Sequence, residues 1–214
     1  MKLTKYGHAC VFIENEAKEI LVIDPGEWTE MPEDLGGIVA VVCTHVHGDH
    51  TDATNIQKIV TANPNVTIYA NAESMATLSD VGCRKIEVDS DTDVNVSNYH
   101  IKMYALEHAA IWKTSPCKNL AVKVNDFYYY PGDSFYVIDE PVEVAGVPVS
   151  APWLKMSEAI QFMYDVKAAQ VMPTHNGLLN DIGHMLAHNW LKNTIGDTSK
   201  TLLLLKNNES YTTK

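Results

Sequence analysis

Short apolar runs separated by turn residues fill the first half of the sequence and predict β-strands with helices between them. The predicted strands cover residues 9–13, 19–24, 38–43 and 66–70, and the predicted helices cover residues 52–63 and 72–80. The first two strands form a hairpin, and Pro25-Gly26 ends the second one. Thr51 or Asp52 can cap the first helix, whose apolar side chains recur at helical spacing.

The second half repeats this alternation of strands and helices. The predicted strands cover residues 84–88, 99–106, 120–124, 127–130, 142–147 and 169–172, and the predicted helices cover residues 157–167 and 182–191. Asn125-Asp126 is a typical turn pair between two of these strands. Because the same order of strands and helices is repeated in the two halves, the sequence predicts an α+β fold with two sheets face to face and helices on the outside.

Length and composition predict a single globular domain over residues 1–214, because 46% hydrophobic residues can fill one substantial core. No stretch approaches the roughly 20 apolar residues that span a bilayer, so we expect a soluble, cytoplasmic protein without a membrane partner. Four scattered cysteines without a CxxC pair predict reduced thiols rather than disulfides or a zinc knuckle; they are Cys10, Cys43, Cys83 and Cys117.

The formal net charge of -11 argues against nucleic acid as a partner, since phosphate backbones are bound by basic surfaces. A small-molecule substrate is the expectation that remains, and the oligomeric state is open. Two acidic runs, residues 27–34 and 87–93, are predicted to be solvated loops.

The segment from residue 44 to 52 carries the most specific chemistry. It holds three histidines and two aspartates in nine residues, directly after the apolar run 38–43. Imidazole and carboxylate groups are the ligands of zinc, and also of manganese and iron. The run therefore predicts a metal site at the end of a buried strand.

Three further candidate ligands follow apolar strands in the same way. His108 ends one strand, Asp133 follows Tyr130-Pro131-Gly132, and His175 follows another strand. Side chains at strand ends lie where loops leave the core and a substrate can reach them. We therefore expect these residues to join the histidine-rich segment in one site.

This ordered set, an HxHxDH segment followed by a lone His, a Gly-Asp and a Pro-x-His, resembles the metallo-β-lactamase fold superfamily of hydrolases. The small single-domain lactonase-like branch, which includes the L-ascorbate-6-phosphate lactonases, is similar in three further segments: Tyr6-Gly7-His8-Ala9, Ile23-Asp24-Pro25 and Pro173-Thr174-His175. The resemblance covers residues 3–191 and implies an αββα four-layer sandwich with two mixed sheets.

The resemblance also implies a centre with two divalent metal ions, zinc first and manganese or iron as alternatives. Its implied ligands are His45, His47 and His108 for the first ion, Asp49, His50 and His175 for the second, and Asp133 as the bridge. Gly48 between the two halves of the segment gives the chain the freedom to turn towards the second centre.

The implied reaction is attack of a metal-bridged hydroxide on a small lactone, ester, amide or cyclic phosphodiester. Asp49 would orient the hydroxide and deliver its proton to the leaving group. His8 would donate to the substrate or product, or be a structural histidine. Asp24 and Asp52 would hold ligand imidazoles, or else serve as a turn cap and a helix N-cap.

Other functions of the same fold stay open at this point. A nuclease or phosphodiesterase is disfavoured by the acidic charge. An iron-dependent sulfur dioxygenase would need iron and oxygen uptake, and a non-catalytic metal-binding module would not need a full ligand set.

Several more histidines and aromatics are weaker candidates. His184 and His188 share a helix face but are predicted to be surface histidines, and His100 is predicted to be solvated. Lys113 is expected to be a solvated lysine. Three tryptophans lie in loops near the predicted site, with core packing as the alternative: Trp28, Trp112 and Trp153.

Overall fold

The computed structural model describes residues 1–113 and 116–213. Within these ranges the elements are, in chain order, β1 (Lys2–Tyr6), β2 (Cys10–Glu14), β3 (Ile20–Ile23), β4 (Ile38–Cys43), α1 (Ala53–Ala62), β5 (Thr67–Ala70), α2 (Ala72–Thr77), β6 (Arg84–Glu87), β7 (Thr92–Val96), β8 (Tyr99–Glu107), β9 (Lys118–Val124), β10 (Tyr128–Tyr130), β11 (Val142–Pro148), α3 (Met156–Asp165), β12 (Ala168–Thr174), α4 (Asp181–Ile195), β13 (Thr201–Leu202) and β14 (Ser210–Thr212).

The strands form two mixed sheets, which confirms the predicted fold class. The first sheet has the order β14-β1-β2-β3-β4-β5-β6, antiparallel as far as β3 and parallel from β3 to β6. The second has the order β13-β12-β11-β10-β9-β8-β7, parallel as far as β10 and antiparallel from there. Short turns join several of the antiparallel strands, whereas helices cross between many of the parallel ones.

The alternation of side chains along β4 explains why this strand is apolar throughout. Ala40 and Val42 face the core between the sheets, and Val41 and Cys43 face the core beneath α1. A strand buried on both faces has no polar side, and full burial of each valine contributes about 1.5–3 kcal/mol. On the other side of the molecule, α3 and α4 cover the second sheet. The four layers are therefore helix, sheet, sheet and helix.

Four strands were not predicted: β1, β7, β13 and β14. The second acidic run was predicted to be a loop, which is wrong at both of its ends, because Glu87 is the last residue of β6 and Thr92 and Asp93 begin β7. The alternation of half-buried and exposed residues along β7 explains both the strand and its polar sequence.

The first helix begins where the histidine-rich segment ends. Asp52 is its N-cap, and its side chain accepts a hydrogen bond from the backbone N–H of Asn55 at 2.7 Å. Of its two predicted roles, Asp52 therefore has the helix cap. In the described ranges, none of the helices combines the length and the apolar character that crossing a membrane requires.

Candidate metal centre

Four strands end around the candidate site. The histidine-rich segment follows β4, His108 follows β8, Asp133 follows β10, and His175 follows β12. The site is thus built from both sheets, and every predicted ligand lies in a segment that follows the end of a strand.

The structure brings the candidate ligands together in two groups, in each of which the ligand atoms lie within 4.8 Å of one another. The first group is His45, His47, His108 and Asp133, and the second group is His8, Asp49, His50 and His175. All seven predicted ligands belong to these groups, together with His8 as an eighth member.

Asp133 connects the two groups. Its Oδ2 lies 3.2 Å from Nε2 of His108 in the first group and 3.1 Å from Nε2 of His175 in the second. Its Oδ1 lies 3.2 Å from Nε2 of His50. The side chain is 4% exposed, so almost no solvent competes with these contacts. This is the position that a bridging carboxylate needs.

Backbone carbonyl groups fix the tautomers of two histidines. The Nδ1 of His108 lies 2.6 Å from the carbonyl oxygen of Ala109, and the Nδ1 of His175 lies 2.7 Å from that of Ser150. Because a carbonyl oxygen can only accept, each Nδ1 carries a proton. In the neutral imidazole, Nε2 therefore has a free lone pair that points into the site.

Asp24 fixes the tautomers of two more histidines. It accepts from Nδ1 of His50 at 2.6 Å, and from the backbone N–H and the hydroxyl of Thr44, each at 2.7 Å. Since the Thr44 hydroxyl gives its proton to Asp24, it accepts from Nδ1 of His45 at 3.0 Å. Of its two predicted roles, Asp24 thus has the one of holding ligand imidazoles. Its φ of 51° shows that the backbone is left-handed at this point.

His8 has the opposite tautomer. Its Nδ1 accepts a hydrogen bond from the backbone N–H of Gly177 at 2.8 Å, so the proton of the neutral ring is on Nε2. That Nε2 is buried in the second group, 3.3 Å from Oδ2 of Asp49. Burial lowers the pKa of His8 to about 4, so the ring is neutral at pH 7. His8 therefore presents an N–H donor to the centre, whereas the neutral rings of His45, His108 and His175 present lone pairs.

The electrostatics favour the ligand forms of His45 and of both carboxylates. At His50, by contrast, burial is outweighed by Asp133 and Asp24, which raise its pKa well above the ordinary value, so metal binding there must displace a proton. Burial lowers the pKa of His45 well below its ordinary value, and the neighbouring His50 lowers it further. Burial would raise the pKa of Asp133, but His50 and His108 outweigh it and hold that pKa well below its usual range. Burial is likewise outweighed at Asp49, where His8 and His50 lower the pKa to about 2. Neutral imidazoles and charged carboxylates are the forms that bind metal.

The buried polar atoms of the site lack partners. The Nε2 atoms of five histidines and Oδ1 of Asp133 have no hydrogen-bond partner among the described residues; the histidines are His8, His45, His50, His108 and His175. Leaving such a group unpaired costs about 1–3 kcal/mol, and more for a charged one. Cations at the two groups would satisfy all of these atoms except the Nε2–H donor of His8, so the residues fit a pair of divalent metal ions.

Two further residues contact the candidate ligands, and sequence reasoning gave neither of them this role. The indole N–H of Trp153, a residue predicted to lie near the site or to pack in the core, donates to Oδ2 of Asp133 at 2.8 Å. Sγ of Cys117 lies 3.9 Å from Nε2 of His47. Cys117 directly precedes β9, and its position at a strand end was the available signal, whereas Trp153 lies in the loop between β11 and α3.

The remaining candidates lie further out. Trp28 packs its ring against His8 with 4.8 Å between centroids, whereas Trp112 is 75% exposed. His184 and His188 are half-buried rather than surface residues, with 5.9 Å between ring centroids. His100 is half-exposed beside Asp93, and Lys113 lies over the ring of Trp112. Among the described residues, neither His100 nor Lys113 belongs to a candidate ligand group.

Two mixed sheets between helices, with a His/Asp centre at the strand ends, define the metallo-β-lactamase fold. Solved structures agree. A metallo hydrolase from Ignicoccus hospitalis is 16% identical with a TM-score of 0.75, covering 100% of this chain and 99% of its own. The metallo-β-lactamase fold protein YhfI from Bacillus subtilis is 15% identical with a TM-score of 0.74, covering 98% of both chains.

The sequence itself places the chain in a family. The family described as the β-lactamase superfamily domain matches residues 2–175, and the chain belongs to it. Protein Rv0786c of Mycobacterium tuberculosis is 30% identical over 84% of this chain and 85% of its own length. A UPF0173 metal-dependent hydrolase of Pyrococcus abyssi is 26% identical over 95% of this chain and 96% of its own. The chain is a metal-dependent hydrolase of the metallo-β-lactamase superfamily.

Proposed function

We propose that the protein holds two divalent ions and hydrolyses a lactone, ester, amide or cyclic phosphodiester bond in a small molecule. The observation that carries this proposal is the convergence of four buried, unpartnered Nε2 atoms on the carboxylate of Asp133. A small-molecule substrate is consistent with the net charge of -11, which disfavours nucleic acid. Reduced cysteines, of which Cys10 and Cys43 are buried, support a cytoplasmic location.

The first group would hold one ion through its three histidines, and the second group would hold the other through Asp49, His50 and His175, with Asp133 shared between them. Zinc is the ion that we propose, because imidazole ligands predominate, and carboxylate ligands make manganese or iron the alternatives. When bound, such ions lower the pKa of a water molecule towards neutrality and so supply a nucleophile at pH 7.

The chain's own residues would complete the reaction. Asp49 is charged and only 18% exposed, so it can accept a proton from the attacking water and pass it to the leaving group. His8 would donate its Nε2–H to the oxygen on which negative charge develops. The indole of Trp153 would hold Asp133 in place through its N–H.

The test combines metal analysis with turnover on purified full-length protein. We expect about two ions per chain and chelator-sensitive hydrolysis of at least one of four substrates: an aryl phosphodiester, an aryl ester, a simple lactone and nitrocefin. Asp133→Ala should lose both metal and turnover, because it removes the shared ligand. Asp139→Ala, at a carboxylate whose side chain is 96% exposed, is the matched control.

Full turnover in Asp133→Ala would contradict the proposal. One iron per chain with oxygen uptake and no hydrolysis would indicate an oxygenase instead of a hydrolase. A wild-type protein without metal and without activity would indicate a binding module.

A further inference from the structure

A cavity of about 500 Å³ adjoins the candidate metal centre. His8 belongs to the second group and also lines this cavity, so it forms part of the wall between the two spaces. Trp28 and the first half of α4 contribute other parts of the lining. The centre and the cavity therefore share the His8 side chain, and a substrate that occupies both must pass beside it.

Lys5 is the unusual residue of this cavity. Its side chain lies on the same face of β1 as Leu3, so it points between the two sheets, and the residue is only 3% exposed. Its ammonium group donates to the backbone oxygen of Gly7 and, at 3.1 Å, to Oδ1 of Asn176. Among the described residues, no carboxylate lies within 4.0 Å of it. A buried lysine without an anionic partner is rare.

The cost of this arrangement shows in the ionisation of Lys5. Burial lowers its pKa to about 8, and no acidic residue of the described chain offsets that effect apart from a weak influence of the Cys10 thiol. Two of the three ammonium protons have acceptors, so one donor remains for a further acceptor.

The rest of the lining also favours negative charge. Lys206 contributes a second cation from the segment after β13, and His184 and His188 contribute imidazoles from one face of α4. Asp181 is the single carboxylate among the described lining residues. In a chain with a net charge of -11, this local excess of cationic and donor groups is distinctive.

We propose that this cavity binds an anionic oxyacid group of the substrate, a carboxylate or a phosphate monoester, with Lys5 as its principal partner and Lys206 as the second. The proposed function is thereby narrowed to substrates that carry a negative charge away from the bond that is cut. The inference rests on the proposed function only in so far as it calls the bound anion part of a substrate. Whether the cavity binds anions at all is tested by binding measurements alone.

The test is calorimetric titration of the full-length, metal-loaded protein with inorganic phosphate and, separately, with succinate. Lys5→Met should weaken binding at least about tenfold, because it removes a buried charge-assisted hydrogen bond, and Lys206→Met should weaken it severalfold. Lys192→Met, at an exposed lysine of α4 outside the cavity, should leave affinity unchanged. Metal content and melting temperature of each variant establish that it is folded.

The titration is repeated after chelation, because anions also bind to metal ions directly. Binding that survives chelation and falls in Lys5→Met supports the cavity, and it does so even if the protein proves to have no hydrolase activity. A preference for phosphate identifies the occupant as a phosphate monoester, and a preference for succinate identifies a carboxylate. Binding that disappears with the metal, or equal affinity in wild type and Lys5→Met, overturns the proposal. Should Lys5→Met not fold, unchanged affinity in Lys206→Met overturns it.

Discussion

One ring proton distinguishes His8 from the histidines around it. The other four buried histidines donate from Nδ1 to fixed acceptors, whereas His8 accepts at Nδ1 from Gly177. The same residue type at the same centre thus has two chemical roles, and the hydrogen bond on the far side of the ring decides which one.

The variant His8→Phe should therefore bind metal normally and turn over substrate more slowly. We expect unchanged metal stoichiometry and a kcat lower by roughly 100- to 1,000-fold, the usual effect of removing one donor to a developing oxyanion. Elemental analysis and steady-state kinetics check this, with His100→Phe as the control far from the centre. Loss of one metal equivalent in His8→Phe would show instead that His8 is a ligand.

Asp24 should govern metal affinity without touching the metal. Its two oxygens accept three hydrogen bonds from Thr44 and His50, and an asparagine has only one acceptor oxygen for them. Asp24→Asn should weaken metal binding about 10- to 100-fold, measured by competition with a chromogenic chelator.

Asp52→Asn is the matched control for Asp24, because asparagine caps a helix as well as aspartate does. Equal metal affinities in the two variants would contradict the assigned role of Asp24.

At the scale of elements, the ends of strands determine the site, and this much was predictable. The apolar run of β4 and the single polar residues after β8, β10 and β12 placed His108, Asp133 and His175 correctly at strand ends. The short strand β13 was not predicted because only two residues, Thr201 and Leu202, pair with β12, and β14 was not predicted because its sequence is polar and its partner is distant. Ser210, for example, pairs with Thr4 across some two hundred residues. The burial of Lys5 could not be predicted either, since it depends on how the last segment packs against β1.

The turn after β3 and the histidine-rich segment are packed backbone against backbone. A Cβ added at Gly26 would lie 1.9 Å from the carbonyl oxygen of Asp49 and 2.5 Å from the backbone nitrogen of His50. No side chain can rotate away to relieve this contact, so the segment itself must move.

Gly26→Ala should therefore destabilise the fold by about 1–3 kcal/mol. It should also lower the affinity for the second metal ion in particular, because the ligands Asp49 and His50 are displaced. Thermal unfolding and stepwise metal titration check this. Gly82→Ala, where an added Cβ has no neighbour within 4 Å, should change neither quantity. Normal binding of both ions in Gly26→Ala would mean that the segment tolerates the shift.

For the whole molecule, the two groups join loops from both sheets, so metal should hold the two halves together. Ligand binding to the folded state stabilises it by about 2.7 kcal/mol at a free concentration 100 times Kd. For a chain of this size, that corresponds to a melting temperature higher by about 5–10 °C. Chelation should lower the melting temperature by this amount, and added zinc should restore it. In Asp133→Ala the melting temperature should not respond to chelator, and an equal response in both proteins would place the stabilising metal elsewhere.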